Sequence, residues 1–148
     1  MIIVDTREKK WNHIEDYFKR HNIEYETKML DVADYVLSGK PRLVIDRKQN
    51  LQECCKNLCS SDSNRFWREI RRSKESGIKM IVLIEHGGSY KSIKDVANWK
   101  NKYSKISGRK LMEEMYRVHI SYGIEWLFCS KRSTGKRIVE LLGGDTGD

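Results

Sequence analysis

The stretch Tyr35-Val36-Leu37-Ser38-Gly39-Lys40-Pro41-Arg42-Leu43-Val44-Ile45-Asp46-Arg47-Lys48 decides the fold. It reads as an apolar strand, a turn and a second apolar strand. Asp46 and Lys48 are two apart on the second strand and share a face. If Ser38 pairs with Arg42 around a Gly-Lys-Pro turn, Asp34 lies directly opposite Asp46. Opposed side chains sit about 5 Å apart, where two like charges repel. Such a pair makes chemical sense with a divalent cation between the carboxylates. Two carboxylates on a metal with a lysine alongside suit phosphodiester hydrolysis in a small site.

Outward from this hairpin, Asn50 reads as the N-cap of a short helix to about Leu58. Glu53 falls in its first turn, where the helix dipole favours a carboxylate and where Asp46 and Lys48 are within reach. Ser60-Ser61-Asp62-Ser63 is a polar loop able to cap a helix over about 64–76. Met80-Ile81-Val82-Leu83-Ile84 is a near-continuous apolar run, the mark of a strand covered on both faces. Residues of about 108–122 form an amphipathic helix with Leu111, Met115, Val118 and Tyr122 inward, and Ile124–Phe128 a further strand. A last helix runs from about Ser133 to Leu142. Upstream, Ile2–Val4 is a short buried strand, about 9–21 a helix and 23–30 a strand. Strands alternating with helices give an α/β fold with a mixed central sheet flanked by helices. One domain spans 1–142, with 143–148 a flexible tail.

The first strand runs into Asp5-Thr6-Arg7-Glu8, placing a carboxylate at a strand's C-terminal end, where α/β sheets bind ligands. In Asn64-Arg65-Phe66-Trp67-Arg68-Glu69-Ile70-Arg71-Arg72, a helical period puts Arg65, Arg68 and Arg72 on one stripe, opposite Phe66, Trp67 and Ile70. Guanidinium forks on such a stripe suit phosphate oxygens. Lys91, Lys94, Lys100, Lys102, Lys105, Arg109 and Lys110, interleaved with Tyr90, Trp99 and Tyr103, form a second basic stretch able to stack on and hold single-stranded or branched nucleic acid. A solvated surface is the plainer reading of that stretch. Ser133-Thr134-Gly135-Lys136-Arg137 lacks the upstream glycines of a phosphate loop.

The 148 residues carry 29 Lys and Arg against 21 Asp and Glu, a net charge of +8 and a pI near 9.3. That surplus favours a polyanion, nucleic acid first. No run of about 18 apolar residues exists to span a bilayer, and Met1–Asp5 leads straight into charge, unlike a signal peptide. Cys54, Cys55, Cys59 and Cys129 have no metal or disulfide spacing and read as reduced thiols of a cytoplasmic protein.

Val4-Asp5-Thr6-Arg7-Glu8, Asp31-Val32-Ala33-Asp34-Tyr35-Val36, Val44-Ile45-Asp46-Arg47-Lys48, Asn64-Arg65-Phe66 and Val82-Leu83-Ile84-Glu85 follow in that order. Together they resemble the nuclease domain of the XPF/Hef structure-specific endonucleases, a branch of the PD-(D/E)XK, restriction-endonuclease-like fold. The resemblance covers roughly 1–142. It implies a metal-dependent DNA endonuclease acting on branched or flap-structured DNA in repair or recombination. It also implies that Asp34 and Asp46 hold Mg²⁺ or Mn²⁺, with Asp5 in or beside the metal site and Glu53 as the acid after the lysine. Lys48 would activate water or stabilise the transition state. Arg7, Arg47 and Arg65 would contact substrate or order the acids. Ala33 stands where the family has glycine, Asp46 where it has glutamate, and Glu53 one residue beyond the family's aspartate. The helix-hairpin-helix repeats commonly appended in the family have no counterpart here. The chain is thus similar to a stand-alone phage or bacterial form, gripping DNA with its own arginines, through a homodimer or with a partner protein. A non-catalytic nucleic-acid-binding module of the same fold and an RNA-directed nuclease are the alternatives.

Overall fold

In the computed structural model, residues 1–60 and 64–143 are described. The expected cap within Ser61–Ser63 and, Gly143 apart, the expected tail lie outside them. The elements are β1 (Ile2–Asp5), α1 (Asn12–Arg20), β2 (Tyr25–Lys28), β3 (Tyr35–Leu37), β4 (Lys40–Lys48), α2 (Leu51–Cys59), α3 (Asn64–Glu75), β5 (Lys79–Glu85), α4 (Gly108–Tyr122), β6 (Glu125–Cys129) and α5 (Thr134–Leu141). A 3₁₀ segment, Ile93–Asn98, interrupts the long β5–α4 connection. Six strands form one sheet in the order β2-β1-β3-β4-β5-β6. Pairing is parallel for β1–β2, β4–β5 and β5–β6 and antiparallel for β1–β3 and β3–β4. This is the expected mixed sheet flanked by helices.

Alternation along each strand divides the core in two. Val44, Met80, Val82 and Ile84 pack with α2, α3 and α4. Ile45, Ile81 and Leu83 face the opposite way, against Ile14 and Phe18 of α1 and Ile138 of α5. Asp46 and Lys48 therefore point to the α2–α3 side, and Arg47 to the α1–α5 side.

The hairpin departs from the expected turn. Tyr35 pairs with Ile45 and Val36 with Val44, in the expected register, but Leu37 then pairs with Lys40. Ser38-Gly39, with Gly39 at φ +88°, is the turn, and the register shift absorbs Pro41–Leu43. Glycine takes the left-handed corner without a Cβ clash, and proline is tolerated where the ladder is already broken. The shift falls at the turn end, so the pairing that leads to Asp34 and Asp46 is undisturbed.

Candidate active site

Asp34 and Asp46 meet at the end of the β3–β4 hairpin. Asp34 donates its backbone N–H to the Ile45 carbonyl at 2.9 Å, and its Oδ2 accepts the Arg47 backbone N–H at 2.8 Å. The hairpin ladder thus continues into the acid. Asp46 is 5% exposed. Burial first, then the charges of Asp46 and Glu8, raise the Asp34 carboxyl well above the usual range, against the Arg47 N–H and Lys48. Two acids held this way lower their energy by sharing a proton or a cation.

Lys48 lies on the same face. Its Nζ is 2.7 Å from Asp46 Oδ2 and 4.0 Å from the centroid of the Phe66 ring. Burial works against its charge, but Asp46, Glu53 and Asp34 outweigh burial and raise its pKa on balance. The ammonium is thus retained at the floor of the site. The contact with Asp46 Oδ2 is a close ion pair, and a carboxylate oxygen keeps acceptor capacity beyond one such contact.

These groups face a cavity of about 420 Å³. Its wall also carries Asp5, Arg7, Glu53 and Arg65 from the expected set. The Asp5 carboxylate is already engaged: it accepts from Arg7 Nε at 3.0 Å, Arg7 Nη2 at 3.2 Å and the Leu30 N–H at 2.9 Å. Its hydrogen bond to Arg7 is the main reason that guanidinium's pKa is raised. Glu53 accepts the Gln49 N–H at 2.7 Å, and its own N–H bonds to Asn50 Oδ1 at 2.9 Å, so the expected N-cap is formed. Arg65 and Arg68 are exposed on α3. Arg72, farther along the helix and outside the cavity, donates to the Asp31 carbonyl at 2.7 Å.

Arg47, for which the resemblance implied either contact with substrate or ordering of the acids, has its side chain engaged with acids. It lies on the other face of β4 with its side chain 1% exposed. It donates to Glu8 Oε2 at 3.0 Å, Glu85 Oε1 at 2.5 Å and the Lys9 carbonyl at 2.6 Å. Glu85 also meets His13 Nε2 and Thr134 Oγ1, each at 2.5 Å. The Arg47 side chain orders acids, while the residue also borders the cavity.

Among the wall residues missed as site candidates from sequence are Glu69 and Asn57. Glu69 sits one turn after Arg65 on the same helix face, and that spacing could have found it. Its carboxyl is pushed up by burial first and then by the charge of Asp46, against the Ala33 N–H and the lysine and arginine nearby.

Among the described residues, no three His, Cys, Asp or Glu side chains group closely enough to hold a metal ion unaided. The donors still fit a hard cation. Magnesium commonly takes one or two carboxylates and completes its shell with water and substrate phosphate. Asp34, half-buried, and Asp46, buried, repel each other and keep acceptor capacity, which makes them that kind of donor set.

The model for the ERCC4 domain matches residues 4–142. No curated protein matches the chain. Among solved structures, XPF from Aeropyrum pernix matches with a TM-score of 0.73 at 18% identity, over 98% of this chain and 64% of that one. XPF from the same organism in complex with DNA matches with a TM-score of 0.72, again at 18% identity, over 99% of this chain and 64% of that one. This chain therefore spans somewhat less than two thirds of the XPF chains it resembles, and at that identity they speak to the fold. The match over residues 4–142, on a sheet that brings Asp34, Asp46 and Lys48 to one cavity, places the chain in the ERCC4 domain family.

Proposed function

We propose that this protein is a metal-dependent endonuclease that hydrolyses phosphodiester bonds of branched or flap-structured DNA. The observation that carries the reading is half-buried Asp34 beside buried Asp46, with Lys48 2.7 Å from Asp46, open to a cavity with Arg65 at its edge. Asp34 and Asp46 would hold Mg²⁺ or Mn²⁺. Bound there, the ion would lower the pKa of water and neutralise phosphate charge. Lys48 supplies fixed positive charge where the phosphorane-like transition state gathers negative charge. Arg65 and Arg68 hold flanking phosphates. Water adds to phosphorus, the ester P–O bond breaks, and the leaving oxygen takes a proton from solvent.

The basic surplus of the chain fits a DNA partner, and further grip would come from a homodimer or a partner protein. No helix among the described residues is long and apolar enough to cross a membrane, which accords with action on cytoplasmic DNA. The test is cleavage of labelled fork, flap, junction, duplex and single-stranded DNA with Mg²⁺, Mn²⁺ or EDTA, wild type beside Asp46→Asn. Metal-dependent cutting by wild type and none by the variant is expected. Equal cutting by both would overturn the reading. Tight binding with no turnover on any substrate would favour the non-catalytic module instead.

A further inference from the structure

The β5–α4 connection takes no part in the site above. Its loop is nonetheless a fixed body. Asn101 organises it from within: Nδ2 donates to Ser104 Oγ at 2.8 Å, the Ile106 carbonyl at 3.0 Å and Cys55 Sγ at 3.7 Å. Oδ1 accepts the N–H groups of Tyr103 at 2.9 Å and Ser104 at 3.2 Å. Gly108 closes the base so tightly that a Cβ there would come within 2.4 Å of the Val96 carbonyl oxygen and 2.5 Å of that of Trp99. Trp99 and Ile106 anchor the loop's two limbs to the core.

What this scaffold presents is specific. Tyr103 is 75% exposed, a large aromatic ring held in water by a backbone bonded to Asn101. Around it stand Lys100, Lys102, Lys105 and Arg109, all exposed. Among the described ion pairs, Lys110 is the one cation of residues 100–110 with a carboxylate, Glu114 at 3.1 Å. Among the described residues the other four form no ion pair with an acid. A concavity bordered by Lys100, Lys105 and Arg109 lies within the loop.

Its position matters. The Asn101–Cys55 contact seats the loop on α2, and His86, at the start of the same connection, accepts the Leu51 N–H at 3.1 Å. Glu53 and Asn57 of α2 line the active-site cavity, while Cys55 is on the far side of the helix turn. The loop's seat on Cys55 is thus about one helix diameter, on the order of 10 Å, from the cavity.

We infer that this loop is a second nucleic-acid contact: a stacking platform on which Tyr103 takes an unpaired base while the four cations hold its phosphates. An exposed ring among unpaired cations suits a single strand, whose bases are free to stack, better than a duplex, whose bases are not. The inference rests on the nuclease reading, and it supplies that reading's substrate preference: the single-stranded arm of a branched molecule.

The test is binding, by fluorescence anisotropy in EDTA with the Asp46→Asn background, so that cleavage plays no part. The probes are a fork with one single-stranded DNA arm and a blunt duplex of the same length. Tyr103→Ala is expected to weaken fork binding about tenfold, within the range of losing one stacked base, and to leave the duplex unchanged. Tyr103→Phe should bind as wild type, because the ring and not the hydroxyl is used. Replacing Lys100, Lys102, Lys105 and Arg109 by Gln should flatten the salt dependence of fork binding by about 3 in log–log slope. Equal fork affinity of wild type and Tyr103→Ala, with the fold intact by circular dichroism, would overturn the platform alone. An equivalent loss on the duplex would overturn the single-strand assignment, and tighter binding of an RNA arm would overturn DNA as its ligand. No DNA binding by any form would instead remove the nuclease reading itself.

Discussion

Glu69 Oε1 accepts the backbone N–H of Ala33 at 3.1 Å, and Ala33 is in the left-handed region at φ +64°. The residue before Asp34 therefore adopts the conformation that glycine takes freely, and a carboxylate from α3 holds it there. A left-handed alanine costs about 1–2 kcal/mol, which a glycine avoids at about 0.4–1 kcal/mol of extra unfolded-chain entropy. Ala33→Gly is therefore expected to stabilise the protein by about 0.5–1 kcal/mol, read as a higher urea midpoint with unchanged slope. Glu69→Ala is expected to destabilise it by about 1–3 kcal/mol, because the buried Ala33 N–H loses its acceptor. A lower midpoint for Ala33→Gly would count against strain at this position.

The acid pair makes stability depend on pH in the metal-free protein. The Asp34 carboxyl titrates above its ordinary value because of burial and then Asp46. Its contribution is therefore fully present below the ordinary carboxylate range near 4 and is lost as pH rises through its folded value. Asp34→Asn, neutral at every pH and still able to accept the Arg47 N–H, should raise the metal-free melting temperature at pH 8 and change it little at pH 4. Mg²⁺ should raise the wild-type melting temperature at pH 8 and leave Asp34→Asn unmoved, as expected of a ligand that binds the folded state through this acid. An equal Mg²⁺ shift in both proteins would place the ion elsewhere.

Arg47 joins two acids that no water reaches readily, Glu8 and Glu85. Removing it by Arg47→Met leaves Glu8 without its cation and Glu85 with His13 and Thr134 alone, at about 3–5 kcal/mol. Lysine cannot repair this, because one ammonium does not reproduce a fork that spans two carboxylates and a carbonyl. Urea unfolding of Arg47→Met and Arg47→Lys measures it; a loss below about 1 kcal/mol in both would show that the network is dispensable.

Lys48 and the α3 arginines should separate in kinetics. Lys48→Met removes fixed charge beside the scissile phosphate and is expected to lower kcat by about 10²–10³-fold with little change in DNA affinity. Arg65→Gln with Arg68→Gln should instead weaken binding and reduce the salt slope by about 2. Arg72→Gln should change that slope less, since its guanidinium is tied to the Asp31 carbonyl.

Much of this was legible in the chain. The apolar run Met80–Ile84, buried throughout, marked a strand covered on both faces. Asn50 marked the start of α2. Residues 108–122 matched α4 in full, because a periodic stripe and the Ser107 cap agree with Gly123, which ends the helix at φ +68°. The turn of the hairpin was misplaced because Gly-Lys-Pro and Ser-Gly both carry turn chemistry, and only the closed ladder selects between them. Between the two roles implied for Arg47, contact with substrate and ordering of acids, alternation already favoured the second by putting it on the face opposite Asp46 and Lys48.

What the sequence by itself determined is whatever depends on neighbours along the chain: strand alternation, helix periodicity, caps, and with them the common face of Asp46 and Lys48. Only the tertiary structure decided what depends on residues brought from afar. Glu69 reaches Ala33 across 36 positions, and Glu85 reaches Arg47 across 38. Asn101 seats a basic loop on Cys55 across 46. A carboxylate or an amide finds its partner by distance in space, and that distance is set by how the helices pack on the sheet.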